Sequence, residues 1–237
     1  MKTFTLLIFT LFTSASFNIC SGQTVKIGKQ VWMTKNLNVS TFRNGDPIPQ
    51  AKTADSWNKA GINKKPAWCY YENNANNGTK YGKLYNWYAV NDPRGLAPAG
   101  YHIPSDSEWE ELKEFLGDEV SLQLKSTNGW PNFDIPLLGN GTNSSGFSAL
   151  PGGFGGWPFA YANAGEMKWN NSTSGYWWSS SEDTTSFVEN SLQIGKVFEF
   201  VKDYYAFYRS LDVYKDNDFD RYHTTKSSGM SVRCIKD

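Results

Sequence analysis

Residues 95–112 read GLAPAGYHIPSDSEWEEL, and this stretch decides the fold class. Ser105 and Glu108 stand three apart, with Pro104 just before them, which is the spacing of a capping box at a helix start. Trp109, Leu112, Phe115 and Leu116 then recur at helical spacing as a core side, while Glu110, Glu111, Lys113 and Glu114 face water. Gly117 is the expected stop. Outward from this helix the pattern changes period. Val25, Ile27, Val31 and Met33 alternate as a strand pair turning near residues 28–30, and residues 55–60 suit a short helix ending at Gly61. The runs 68–71 and 84–90 bracket an Asn/Gly stretch, 72–82, expected to be a loop. Beyond the central helix, short strands are expected at 148–150, 176–179, 187–193, 205–213 and 230–235, separated by Gly-rich turns. The fold class is therefore α+β: one or two short helices packed on a twisted antiparallel sheet with long irregular loops.

Composition narrows the function classes. The chain has 237 residues, with 23 Lys plus Arg against 23 Asp plus Glu, so it lacks the long-range field of a nucleic-acid or anionic-membrane binder. Aromatic residues make up 16% and charged residues only 19%, which fits a packed globular protein and excludes a disordered tail. Lys2 precedes an apolar run at 6–12, followed by small and polar residues up to Gln23, the pattern of a secretory signal peptide over residues 1–22. Cleavage before Gln23 is favoured over lipidation of Cys20, because Asn18 and Ile19 precede that cysteine where a lipoprotein signal wants a small residue. No later apolar stretch reaches the roughly 20 residues needed to cross a bilayer, so no transmembrane segment is expected in the mature chain. With no low-complexity linker and no repeat, residues 23–237 read as one domain. Cys69 and Cys234 remain in an oxidising compartment. They either form one bridge, contributing about 4 to 5 kcal/mol by closing so long a loop, or stay as two buried thiols.

Several stretches together resemble one family. They are KIGKQVWMTKNLNV (26–39), YGKLYNWYAV (81–90), GLAPAGYHIPSDSEWEEL (95–112), GFSALPGGF (146–154), GYWWSSSE (175–182) and the ending SVRCIKD (231–237). On these motifs the chain is similar to the Fibrobacter succinogenes major paralogous domain of secreted and surface proteins in Bacteroidota-like bacteria, across nearly the whole mature length. The resemblance further implies a C-type-lectin-like fold, shared with formylglycine-generating-enzyme domains. Departures from the family pattern bear on specificity. Ala97 stands where many members carry a cysteine, so no bridge from that site to Cys234 can form. Gly155 stands where members often have Arg, and residues 187–226 are longer and less family-like than the rest.

Few residues of the sequence carry candidate chemistry. His102 lies in the turn before the central helix, where satisfying the loop is the expected role, and His223 is expected at the surface. Ser179, Ser180 and Ser181 follow paired tryptophans without a nucleophile elbow. No phosphate loop, dinucleotide fingerprint or zinc-protease motif occurs, and Cys69 and Cys234 do not copy the reactive pair of the formylglycine-generating enzymes, so that likeness supports fold alone. Asp216, Asp218 and Asp220 sit at alternate positions like the opening of a calcium loop, but Arg221 stands where glycine is required and Ser227 where the closing acid belongs, which favours an acidic turn. What remains is aromatic: Trp157, Tyr161, Trp130 and Trp169, with Phe159, lie in Gly/Pro/Asn-rich stretches. An exposed ring there stacks on a sugar face or anchors a protein contact, whereas a buried one fills space between loops. The core reading weighs more for Trp130 and Trp169 than for Trp157 and Tyr161. Together these features predict an exported, non-catalytic binding module at the cell surface, secreted or in the envelope, with no cofactor and with a glycan or surface protein as partner. A structural envelope component and a secreted carbohydrate-active enzyme are the alternatives.

Overall fold

Thr24–Ile27 (β1) and Gln30–Met33 (β2) form the antiparallel hairpin that the alternation predicts, turning through Gly28, whose φ of +59° suits glycine. The computed structural model describes residues 23–131, 139–156, 173–184, 205–213 and 219–237. Ile235–Lys236 (β9), at the far end of the chain, lies between β2 and Tyr101–His102 (β5), giving an antiparallel sheet of order β1-β2-β9-β5. The last strand thus ties the first hairpin to the turn before the central helix.

Helix Ala54–Ile62 (α1) begins at a capping box between Thr53 and Ser56 and buries Trp57, whose indole N–H donates to the Ser227 carbonyl at 2.9 Å. Trp68–Cys69 (β3) and Leu84–Tyr85 (β4) pair as a two-stranded sheet. The stretch between them is not a loop. It forms a 3-10 turn, Tyr71–Asn73, and helix Ala75–Tyr81 (α2), capped by the Asn74 side chain accepting from the Asn76 N–H. Its glycine is there for packing: a Cβ on Gly78 would lie 2.3 Å from Cε1 of Tyr70. The run 84–90 divides: strand ends at Tyr85, because Asn86 caps the short helix Trp87–Val90 (α3).

The central helix spans Asp106–Leu116 (α4) and starts as its sequence predicts: the Ser105 hydroxyl accepts from the Glu108 N–H at 3.3 Å, and the Ser105 N–H donates to Glu108 Oε2 at 2.8 Å. Trp109 and Leu112 are buried, but Phe115 is 62% exposed and lies over the Gly28 turn, so the core side is narrower than expected. Val120–Leu124 (α5) follows. Ser174–Asp183 (β6), Tyr205–Asp212 (β7) and Asp220–Thr225 (β8) make a second antiparallel sheet in that order. The runs at 176–179 and 205–213 therefore lie where strands were expected, whereas 148–150 makes only a bridge between Ala149 and Lys125. In the run at 230–235, Met230 bridges to Tyr85 and Ser231 to Trp177, and regular strand is confined to β9. The run at 187–193 lies outside the described residues. The architecture is α+β, with small antiparallel sheets and few short helices.

Adjacent tryptophans on β6 separate the two main cores, because successive strand side chains point to opposite faces. Trp178 packs with Tyr85, Val232 and Cys234, whereas Trp177 packs with Trp32, Trp109, Phe147 and Leu211. The Trp32 and Trp109 rings stand 4.7 Å apart, with Phe147 edge-on to both. Cys69 belongs to a third cluster with Trp57 and Leu84. The bridge weighed for Cys69 and Cys234 is thus corrected: they are buried thiols in separate clusters, and burial pushes the Cys69 pKa upward. Among the described residues, no helix is long and apolar enough to cross a membrane.

Candidate functional site

The sequence Ser231-Val232-Arg233-Cys234 places two apolar side chains on one face and an arginine between them. Val232 and Cys234 enter the first core. Arg233 turns the other way and is only 1% exposed. Its Nε and Nη2 donate to Asn36 Oδ1 at 3.1 and 2.9 Å, and Nη1 donates to the carbonyls of Met33 and Phe147 at 3.0 and 2.6 Å. The guanidinium also lies 4.2 Å from the Phe147 ring centroid. A guanidinium carries about five N–H donors, so these bonds leave one on Nη2. No carboxylate among the described residues pairs with Arg233, and burial pulls its pKa down to about 9, which still leaves a cation at neutral pH.

Over this cation opens a cleft of about 590 Å³. Gln23 and four further segments wall it: residues 34–38 after β2, the end of α2 with Gly82, residues 126–128 after α5, and the 143–150 stretch. Gly82 lets the first two approach, since its φ is +76° and a Cβ there would sit 2.7 Å from the Leu37 carbonyl. Asn36 joins the wall to the core: its amide N–H groups donate to the Tyr81 carbonyl at 2.9 Å and to Ser231 Oγ at 3.2 Å, while its oxygen also accepts from the Trp177 indole at 2.9 Å. The lining presents the amides of Asn36, Asn38, Asn128 and Asn143, and the ammonium groups of Lys35 and Lys80. Among the described residues, no aspartate or glutamate lines it.

A second polar cluster holds the domain's end in place. His102 Nδ1 lies 2.8 Å from Asp237 Oδ1 and Nε2 lies 2.8 Å from Glu108 Oε1. Burial lowers the His102 pKa, but the hydrogen bonds to Glu108 and Asp237 outweigh it and the net shift is upward. For Glu108 burial acts upward, and bonds from Ser105 and His102 outweigh it to leave the carboxyl lowered. With both ring nitrogens facing carboxylates, the imidazolium form is favoured and no lone pair is offered as a base. Both partners are carboxylates rather than the loop carbonyl suggested by the sequence. Ser181 Oγ accepts from the Asp106 N–H at 3.0 Å, a contact at the start of α4.

The remaining sequence candidates divide sharply. Trp130 is only 4% exposed, packs in the second core and donates its indole N–H to the Ala149 carbonyl at 2.9 Å, which corrects the stacking role considered for it. Trp157, Phe159, Tyr161 and Trp169 lie outside the described residues, as do Asp216 and Asp218. Asp220 opens β8, where its carboxylate accepts from the Tyr222 hydroxyl at 3.3 Å. Among the described residues, no group of three His, Cys, Asp or Glu could hold a metal. His223 Nδ1 lies 2.6 Å from Asp183 Oδ2. Arg233 and Asn36 were not singled out from the sequence, although an arginine set between Val232 and Cys234 in an apolar ending is a visible signal.

Comparison with curated proteins and with solved structures gives no match. A family model described as the Fibrobacter succinogenes major domain matches residues 25–236, a span that contains both main cores, Arg233 and every cleft-lining residue but Gln23. The chain belongs to the Fibrobacter succinogenes major domain family.

Proposed function

We propose that the protein is an exported, non-catalytic binding module of the bacterial cell surface, built on a C-type-lectin-like fold, and that it takes a glycan in the cleft over Arg233. The lining of that cleft carries the reading. Its amides, hydroxyls and ammonium groups are donors and acceptors suited to a polyol, and among the described residues no carboxylate of the kind needed to cleave a glycosidic bond lines it. The pattern of Lys2 and residues 6–12 supports export. Trp157 and Tyr161 stay in the reading as stacking residues.

A glycan-binding screen on the protein, with and without calcium, tests this. Saturable binding should be lost in Asn38→Ala and Asn128→Ala, and weakened in Trp157→Ala and Tyr161→Ala, at unchanged melting temperature. Turnover of a bound glycan would establish the enzyme reading instead, and silence across a broad array would favour a structural envelope component. Mass spectrometry of the protein from its host should find an N-terminus at or near Gln23; intact Met1 in the cytosol would overturn export, and a lipidated Cys20 would make the protein a lipoprotein.

A further inference from the structure

The cleft has a charge that a neutral sugar does not use. Arg233, Lys35 and Lys80 line it, no acid does, and no ion pair joins any of the three to a carboxylate among the described residues. Elsewhere the chain neutralises its buried arginine: Arg209, 1% exposed, meets Asp106 at 2.8 Å and Glu110 at 3.1 Å. A buried cation without a counter-charge is costly, so an arginine held only by neutral acceptors and lining an open cleft is a place for an anion to complete the pairing. From the Arg233 floor and the two rim lysines we infer that the ligand is an anionic polysaccharide, whose carboxylate or sulfate group is bound by the remaining Nη2 N–H and by Lys35 and Lys80. This rests on the glycan reading above and names the chemical class of that ligand.

The geometry divides the work. Asn36 and the Met33 and Phe147 carbonyls fix the guanidinium plane and leave one Nη2 N–H for the ligand. Lys35, after β2, and Lys80, near the end of α2, are both exposed and add attraction without holding the fold. Because the whole chain has zero net charge, its overall field does not drive this binding, and the affinity is local to the cleft.

Isothermal titration with three probes tests the inference: dextran as the neutral glycan, dextran sulfate, and oligogalacturonate. At least one anionic probe should bind about tenfold or more tighter than dextran. The winner distinguishes sulfate from carboxylate. The Lys35→Ala/Lys80→Ala double variant should lose about tenfold in affinity for the anionic probe and show a flatter salt dependence, while Lys52→Ala, away from the cleft, should change neither. Arg233→Lys keeps the charge but loses the planar fork, and should weaken binding further if its melting curve shows it folded; if it does not fold, the lysine pair decides. Dextran bound as tightly as the anionic probes overturns the anionic assignment while leaving the glycan module standing. Binding of none of the three, together with silence on the array, overturns both. Equal loss in Lys52→Ala and the cleft variant also overturns the assignment, by reducing it to general surface charge.

Discussion

Replacing Trp109 with alanine would remove the side chain at the meeting point of α4, the first hairpin and the second sheet. Trp109 is fully buried, with ring centroids 4.7 Å from Trp32, 5.6 Å from Phe219 and 6.1 Å from Phe147, and its indole N–H points to the Trp178 carbonyl at 3.4 Å. Truncating a buried aromatic of this size costs about 3–5 kcal/mol, and the lost ring contacts place this variant toward the upper end. For a domain of this length each kcal/mol moves the melting temperature by about 2–4 °C, so the fall should be about 10 °C or more. Phe115→Ala on the same helix provides the contrast: its ring is 62% exposed, and the loss should stay below about 1 kcal/mol. Urea unfolding followed by far-UV circular dichroism measures both without relying on the deleted fluorophore. A Trp109→Ala cost below about 1 kcal/mol, or a Phe115→Ala cost equal to it, would refute the assigned core face.

Three further outcomes follow from the partly buried ionic groups and the buried thiols. His102, raised above its ordinary value of 6.5, contributes stability that is complete below that value and lost as pH rises through its folded pKa, whereas Glu108, lowered from 4.5, contributes stability present above that value and lost as pH falls through its folded pKa. Melting temperatures should therefore fall on both sides of the window between, and His102→Gln should flatten the alkaline limb. Asp106→Ala leaves the Arg209 guanidinium buried with Glu110 alone, and should cost about 3 kcal/mol in chemical denaturation, more than the double replacement Asp106→Ala/Arg209→Met. Thiol titration should find Cys69 and Cys234 slow to alkylate in the native protein and both reactive in denaturant, with no disulfide to reduce.

The parts legible in the sequence are those specified by neighbours in the chain. The α4 start could be read because Ser105 and Glu108 satisfy each other's backbone groups within one turn. The first hairpin could be read from alternation alone. Where tertiary contact decides, the reading failed. Residues 72–82 look like a loop until the Tyr70 ring is placed against Gly78. The strand β8 reads DRYHTT, mostly polar and half-exposed, and takes its form from pairing with β7. The cleft was hidden for a stronger reason: Asn36, Lys80, Asn128 and Arg233 come from four distant segments, and no local period connects them.

Arg233 is the residue on which an anion-accepting glycan site depends. The most direct measurement follows the arginine Nε and asparagine side-chain amide signals by NMR while the tighter anionic oligosaccharide is added. The Nε signal of Arg233 and the amide of Asn36 should shift together and saturably, with the Asn38 and Asn128 amides following and the Nε signal of Arg209, paired with Asp106 and Glu110, remaining still. Saturable binding that leaves the Arg233 and Asn36 signals in place would contradict the account and move the site elsewhere on the protein.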